Sequence, residues 1–220
     1  MTRTMTFDVI SDVVCPWCVI GLLGLERALD ATGDVVTPVI RLQPFELNPH
    51  MPPGGQDIAE HLREKYGAQA GAGGEVRERI RSLAAALDFE MAQRPGARIY
   101  NTFDAHRLID WAQREGRGLP LAHALFRAYF TDGRDPGDPA VLIAAARMAG
   151  LDEAAARGVI ESGAYAADVR AAEEEWRRGG VTSVPTIIVD GRYIIQGAQE
   201  PAAYERAIRR IAAESPETVG

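Results

Sequence analysis

The sequence predicts an α/β protein in which one small sheet is interrupted by a long helical segment. Three observations support this prediction. Strand-like apolar segments lie only near the two ends of the chain, helical patterns fill the middle, and a pair of cysteines joins the first strand to the first helix. The length of 220 residues corresponds to one large domain or one and a half, at about 150 residues per domain.

The first part of the chain predicts a βαβ unit. Residues 6–11 predict a buried strand, and apolar residues at helical spacing from Pro16 predict a helix that ends at Gly33. Residues 36–47 predict a second strand. Strand, helix and strand in this order are typical of two parallel strands joined by a crossover helix.

The middle of the chain is predicted to be helical. The glycine-rich residues 67–74 are interpreted as a flexible joint, because they lack the glycine spacing and the Lys-Ser/Thr of a phosphate-binding loop. The successive predicted helices cover residues 57–66, 75–87, 102–114, 119–130, 139–148 and 152–162.

The last part returns to mixed structure. Residues 165–178 predict a helix, in which Glu173 and Glu174 each precede an arginine by four positions. We interpret this charge run as a solvated face. Strands at residues 186–190 and 193–195, joined by a tight Asp-Gly turn, predict a hairpin, and a final amphipathic helix is predicted to end near residue 213.

Composition and charge favour a protein with its own hydrophobic core and argue against nucleic acid or a membrane as its partner. Apolar residues make up 46% of the chain and charged residues 25%, which is typical of a protein with its own hydrophobic core. The net charge of −7 argues against nucleic acid as a partner. No signal peptide is predicted, and the uncharged run at residues 13–25 is too short for a membrane helix, which needs about 20 apolar residues. We expect a cytoplasmic protein without a membrane partner.

Cys15 and Cys18 are the only cysteines in the chain, and they are separated by Pro16 and Trp17. A structural disulfide across so short a loop would stabilise little. A zinc site would need more ligands, but the four histidines lack ligand spacing and there is no second C-x-x-C motif. We therefore predict a redox pair and no metal.

The cysteine motif and several other segments resemble a known family. The Cys15–Cys18 motif at the start of a helix, together with the segment Gly180–Thr186 ahead of the hairpin, resembles the thioredoxin fold. The helical insertion after the second strand resembles the DsbA branch. The segments Ser11–Cys18 and Asn101–His106 are most similar to its FrnE-like members, which are related to 2-hydroxychromene-2-carboxylate isomerases and kappa-class glutathione transferases.

This resemblance covers nearly the whole chain, and it implies a thioredoxin fold with a large all-helical domain inserted after the second strand. Residues 1–48 and 164–220 would form the thioredoxin-like domain. Residues 49–163 would form the helical insertion.

The two cysteines are expected to have different roles. A thiolate is the attacking species in disulfide exchange, and the free amides of a helix N-terminus favour a negative charge placed there. Cys15 precedes the first helix, with Pro16 completing a first turn that needs no amide, so Cys15 is predicted to attack. Cys18, one turn further in and more buried, is predicted to resolve the mixed disulfide.

The expected function is therefore thiol–disulfide exchange with protein or small-molecule disulfides. The Cys15–Cys18 disulfide would be its redox group, without a bound cofactor.

The resemblance implies that Pro185 is cis and faces the cysteines, which leaves the backbone of Val184 free to pair with an extended substrate. Trp17 cannot donate a hydrogen bond to the thiolate as a histidine could, so we expect a less oxidising pair than the Cys-Pro-His-Cys members have.

The roles of four polar residues stay open. The resemblance places Asn101 and His106 over the active site, where related isomerases bind a small substrate or glutathione. Asn101 is equally well interpreted as a helix cap. His106 is interpreted either as a packed or half-exposed side chain or as a functional group that titrates near neutral pH. Asp8 and Asp12, predicted on one face of the strand, are the nearest candidates for the buried acid of thioredoxins.

Two other functions are compatible with the sequence. One is a glutathione-dependent isomerase or transferase that acts on an aromatic or polyketide-like molecule, with glutathione as co-substrate. The related isomerases have a serine where Cys15 stands and need no resolving cysteine, so the presence of both cysteines favours oxidoreduction. The other is a chaperone-like binding module. A homodimer is compatible with the sequence.

Overall fold

The structure is a computed structural model that describes residues 2–67, 73–92 and 96–214. Most of the predicted joint at residues 67–74 lies outside these residues. The strands are β1 (Arg3–Ser11), β2 (Val36–Pro44), β3 (Gln56–Asp57), β4 (Arg98–Ile99), β5 (Thr186–Val189) and β6 (Tyr193–Gln196). The helices are α1 (Pro16–Ala31), α2 (Ile58–Tyr66), α3 (Gly73–Ala85), α4 (Phe103–Arg114), α5 (Gly118–Phe126), a π-helical segment (Arg127–Thr131), α6 (Pro139–Met148), α7 (Glu153–Ser162), α8 (Ala166–Arg178) and α9 (Pro201–Ala213).

The main sheet has the strand order β2-β1-β5-β6. Strands β1 and β2 are parallel and joined through α1, which is the predicted βαβ unit. Strands β5 and β6 form the predicted hairpin. Asp190 and Gly191 in its turn have φ angles of 52° and 66°, as a tight right-twisted hairpin turn requires.

The sheet and two helices enclose the core next to the cysteines. Met5, Phe7 and Val9 of β1 are fully buried together with Leu25 of α1 and Tyr204 of α9. Helix α1 packs directly against α9. The N-terminus of α1 is thereby held at the end of β1, where Cys15 follows.

The helical insertion packs onto the sheet through α4. Gln113 of this helix accepts a hydrogen bond from the Leu42 amide at 2.7 Å and donates one to the Leu42 carbonyl at 2.9 Å. Helix α4 also packs against α5, α7 and α8. At the other end of α4, His106 lies beside Asp12 in the loop after β1, and Asn101, two residues before the helix, lies beside Glu46 in the loop after β2.

Three local features differ from the predictions. The short pair β3–β4 was not predicted, and the helix expected at residues 119–130 ends in a π-helical segment. The second strand ends at Pro44 because the next amides bind side chains instead of a neighbouring strand: the Glu46 amide donates to Glu173 and the Leu47 amide to Asp12. None of the helices in the described ranges is long and apolar enough to cross a membrane.

Candidate active site

The two cysteines lie where β1 leads into α1. Cys15 occupies the position before the first helical residue and has an extended backbone, with Pro16 as the first residue of α1. Cys15 is 4% exposed, whereas Cys18 is completely buried, and both thiols are free. Pro16 and Trp17 between them are half-buried. Cys15 is thus the thiol at the helix N-terminus, and Cys18 is the one enclosed by protein, as the sequence predicts.

The Val184–Pro185 loop lies against the cysteine pair. Its peptide bond is cis, and the Sγ atom of Cys15 lies 3.8 Å from the carbonyl oxygen of Val184. Val184 is half-buried and Pro185 is buried. The fold therefore brings Cys15 next to a backbone segment that lies 169 positions further along the chain.

Helix α1 can approach this loop because residue 21 is a glycine. A Cβ atom at Gly21 would lie 2.8 Å from Cγ of Pro185, closer than carbon atoms pack. We predict that Gly21→Ala displaces the Pro185 loop, slows the reaction of Cys15 with disulfides and lowers the free energy of unfolding by about 1–3 kcal/mol. Thiol kinetics and urea unfolding measure the two effects.

Gly158 of α7 provides the matched control. A Cβ atom there would meet nothing within 4 Å, so Gly158→Ala should raise helix stability by up to about 1 kcal/mol and leave thiol reactivity unchanged. A Gly21→Ala protein with the reactivity and stability of the wild type would show that the close approach has no role.

Asp12 is the acid that lies next to the cysteines. Its backbone amide donates to Sγ of Cys18 at 3.5 Å, and its buried carboxylate accepts hydrogen bonds from the amides of Leu47 at 2.8 Å and Val14 at 3.4 Å. Burial raises the pKa of Cys18 well above its ordinary value and Cys15 raises it further. The hydrogen bond from the Asp12 amide lowers this pKa, and the Asp12 carboxylate raises it by less. Asp8, the other predicted candidate, instead binds Gln43 at 2.8 Å.

His106 lies beside Asp12 and is 3% exposed. Its Nε2 atom is 3.6 Å from Oδ1 of Asp12, which is too long for a hydrogen bond. No hydrogen-bond partner for this buried nitrogen lies among the described residues. The packed position predicted for His106 is therefore observed, but in contact with a carboxylate at the active site.

Asn101 makes a capping hydrogen bond at the start of α4, whose N-cap residue is Thr102. Its Oδ1 atom accepts a hydrogen bond from the Phe103 amide at 3.0 Å, at the first turn of α4. Its Nδ2 atom lies 3.4 Å from Oε1 of Glu46 and donates to it. These two contacts occupy the side chain, while a contact with substrate stays a prediction.

A buried pair of glutamates next to this region corrects one interpretation. The sequence pattern predicts Glu173 on a solvated face, but its side chain is completely buried and accepts a hydrogen bond from the Glu46 amide at 2.6 Å. Arg170, which is half-exposed, forms ion pairs with both carboxylates. Burial and the Glu173 charge raise the pKa of Glu46. Glu46 stands between Phe45 and Leu47, and a charged residue between two large apolar ones is the signal that could have indicated a buried ion pair.

Tyr129 is a second residue that the sequence did not indicate. It is buried in the π-helical segment, and its hydroxyl donates to the Arg98 carbonyl at 2.9 Å. Burial, with smaller contributions from Asp12, Tyr100 and Cys15, raises its pKa. Segments of this kind are frequent at functional sites, but no sequence pattern marks this one.

These residues form a site suited to thiol chemistry. Cys15 faces a backbone carbonyl, Cys18 accepts a hydrogen bond from the Asp12 amide, and the buried His106 lies on the Asp12 carboxylate. Within the described part of the chain, no group of three or more His, Cys, Asp or Glu side chains could hold a metal ion.

Comparison with known proteins identifies the family. The model of the DSBA-like thioredoxin domain matches residues 6–209, so the chain belongs to this family and the predicted fold is confirmed. The crystal structure of the probable DsbA oxidoreductase SCO1869 from Streptomyces coelicolor superposes with a TM-score of 0.88 and 32% identity, over 98% of this chain and 94% of that one. The uncharacterized protein YwbO of Bacillus subtilis is 27% identical over 93% of this chain and 96% of its own length.

Two more distant structures share the fold. The cytosolic disulfide reductase DsbM from Pseudomonas aeruginosa, in a structure with GSH, has a TM-score of 0.65 and 17% identity, over 94% of this chain and 98% of that one. A 2-hydroxychromene-2-carboxylate isomerase has a TM-score of 0.69 and 15% identity, over 94% of this chain and 95% of that one. Both structures are less than 25% identical to this chain, so they show a shared fold within which the DSBA-like thioredoxin domain lies.

Proposed function

We propose that this protein is a thiol–disulfide oxidoreductase in which Cys15 attacks a disulfide and Cys18 resolves the mixed disulfide. The observation that supports this most strongly is the arrangement of the two thiols. Cys15 stands at the N-terminus of α1 and faces the Val184 carbonyl, while Cys18 is enclosed one turn further in. Cys15 is therefore the thiol that a large substrate would meet first, since Cys18 is completely enclosed.

The reaction has two steps. The Cys15 thiolate attacks one sulfur of a substrate disulfide R–S–S–R′, forms the mixed disulfide Cys15–S–S–R and releases R′–S⁻, which takes up a proton. Cys18 then loses its proton and attacks Sγ of Cys15, and R–S⁻ leaves as the second thiol. The substrate gains two electrons, the protein acquires the Cys15–Cys18 disulfide, and an external dithiol reverses the sequence.

Backbone pairing would orient an extended substrate. The Val184 carbonyl lies beside Cys15, so a peptide strand or a small thiol that pairs with this loop would bring its sulfur near the attacking thiol. Glutathione disulfide is the first small substrate to test, since a structural relative was solved with GSH. We place the reaction in the cytoplasm, where that relative acts according to its description.

A glutathione-dependent isomerase is the second candidate, because a 2-hydroxychromene-2-carboxylate isomerase shares the fold. Such an enzyme needs one thiol or hydroxyl group to hold or position glutathione. A second thiol, completely buried directly behind the first, has no use in that reaction. The buried Cys18 therefore favours oxidoreduction.

A redox titration tests the proposal. The purified protein is equilibrated with glutathione buffers of graded potential, its thiols are alkylated, and the Cys15–Cys18 disulfide is quantified by intact mass. We expect a reversible two-electron transition, at a potential well below the approximately −120 mV of the strong periplasmic oxidant. A pair that stays reduced at every potential, or stops at a stable glutathione adduct on Cys15, would favour the isomerase instead.

A further inference from the structure

We propose that Gln196 and Ser183 are positioning residues for disulfide exchange: they fix the loop that carries Val184, so that an extended substrate meets a preformed backbone segment beside Cys15. This inference rests on the proposed thiol–disulfide exchange. It assigns a role to a hydrogen bond of 3.0 Å between two exposed side chains next to the active site.

The loop that carries Val184 has few backbone hydrogen bonds to the rest of the chain. On its N-terminal side, the Val181 amide donates to the Trp176 carbonyl at 3.0 Å. On its C-terminal side, the Pro185 carbonyl accepts a hydrogen bond from the Gly197 amide at 2.8 Å. Between these two points the described residues form no backbone–backbone hydrogen bond, so side chains must hold the residues between Val181 and Pro185.

Ser183 is the residue of this loop that side chains hold. Its carbonyl accepts a hydrogen bond from Oγ1 of Thr186 at 2.8 Å, and Thr186 is buried. Its hydroxyl accepts a second hydrogen bond from Nε2 of Gln196 at 3.0 Å. Thr186 and Gln196 lie directly opposite each other on β5 and β6, so both hydrogen bonds attach Ser183 to the same point of the sheet.

Fixing Ser183 also fixes Val184, which follows it in the chain. The carbonyl oxygen of Val184 lies 3.8 Å from Sγ of Cys15, and within the described part of the chain the Val184 amide has no hydrogen-bond partner. A substrate strand that pairs with a mobile loop loses binding free energy, because the loop must be ordered first. A loop that is already fixed binds the same strand more tightly.

The exposure of Gln196 and Ser183 favours this role over a contribution to global stability. Water can replace a hydrogen bond between two exposed side chains, so its loss changes the free energy of unfolding little. Its effect is on the loop. The bond from Gln196 gives Ser183 a second attachment, which prevents rotation about the first one from Thr186.

The effect on catalysis depends on the kind of disulfide. An extended peptide disulfide would use the Val184 backbone, because its own amide and carbonyl groups can pair with that residue. A small disulfide without amide groups reaches Cys15 without such pairing. The hydrogen bond between Gln196 and Ser183 should therefore assist the reaction of the first kind of substrate and leave that of the second unchanged.

Gln196→Ala and Ser183→Ala test the inference in a Cys18→Ala parent protein, in which adducts on Cys15 accumulate. Two substrates are compared: the symmetric disulfide of a short neutral peptide with a central cysteine, and bis(2-hydroxyethyl) disulfide, which has no amide group. In each reaction Sγ of Cys15 forms a bond to one sulfur, and the other half of the disulfide leaves as a thiol. Intact mass at successive times gives the rate of adduct formation.

We expect either substitution to slow the reaction with the peptide disulfide by about threefold to tenfold, the range for one hydrogen bond, and to leave the rate with the small disulfide unchanged. The double substitution should be no slower than either single one, because both remove the same bond. Gln196→Glu can still accept a hydrogen bond from the Ser183 hydroxyl and should restore the parent ratio of the two rates. Ile194→Ala, an exposed position on the same face of β6, is the matched control and should equal the parent.

Two results would overturn the inference. Equal slowing with both disulfides would mean that the two residues maintain the site in general, and an unchanged peptide rate would mean that the loop needs no such attachment. Urea unfolding, with the same midpoint expected in every variant, shows that each protein is folded, and either single variant alone tests the bond if the other does not fold. If Cys15 of the parent reacts with neither disulfide, the proposed function itself fails, so the two failures are distinguishable.

Discussion

Replacing Cys18 with alanine is expected to stop disulfide exchange after its first step. The Cys15 thiol remains at the N-terminus of α1, so it still attacks glutathione disulfide, but no second thiol can resolve the adduct. The variant should accumulate one glutathione per chain, stable for hours, and its turnover should fall to the rate of the uncatalysed reaction. Intact mass and a coupled glutathione assay measure both effects.

Cys15→Ala is the companion variant, and it should form no adduct. Cys18 is completely buried, and its raised pKa keeps it in the unreactive thiol form. Turnover should again be lost, this time without a trapped intermediate. The assignment of the two roles would be reversed if Cys15→Ala were the variant that traps glutathione.

Removing the Glu173 carboxylate is expected to have the largest effect on stability outside the cysteines. This group is completely buried, accepts the Glu46 amide hydrogen bond at 2.6 Å and pairs with Arg170. In Glu173→Ala the Glu46 amide loses its hydrogen-bond acceptor, and Arg170 loses one of its two carboxylate partners. We expect the free energy of unfolding to fall by about 3 kcal/mol, measured by urea unfolding at pH 7.

The neighbouring Glu174 provides a control with the same substitution on the same helix. Its side chain is 77% exposed and lies 3.5 Å from Arg178. Exposed ion pairs contribute little, so Glu174→Ala should change the free energy of unfolding by less than about 1 kcal/mol. Similar losses in the two variants would mean that burial of Glu173 has no energetic consequence.

Glu173 and Glu174 also show where prediction from sequence ends. Both stand on one predicted helix, and each precedes an arginine by four residues, so local patterns treat them alike. Which one is buried depends on how α8 packs beside the loop that follows β2. That packing turns Glu173 toward the Glu46 amide and leaves Glu174 in solvent.

The surroundings of His106 and of Asp12 could each be predicted from the sequence, but the contact between the two side chains could not. A packed position for His106 followed from its apolar neighbours on α4, and Asp12 was among the acids expected near the cysteines. Their contact was not predictable, because Asp12 follows β1 and His106 belongs to the insertion, 94 residues later by their sequence numbers. Only the docking of α4 on β2 brings the two side chains together.

Features that depend only on neighbouring residues could be predicted from the sequence. These are the two cysteines one helical turn apart, the proline that starts α1, and the Asp190-Gly191 turn of the hairpin. Their conformations follow from backbone preferences and local hydrogen bonding. The contacts between distant groups follow from the packing of the whole chain: Val184 with Cys15, His106 with Asp12, and Glu173 with Glu46. These contacts depend on how whole helices pack against the sheet, and no short stretch of sequence specifies that packing.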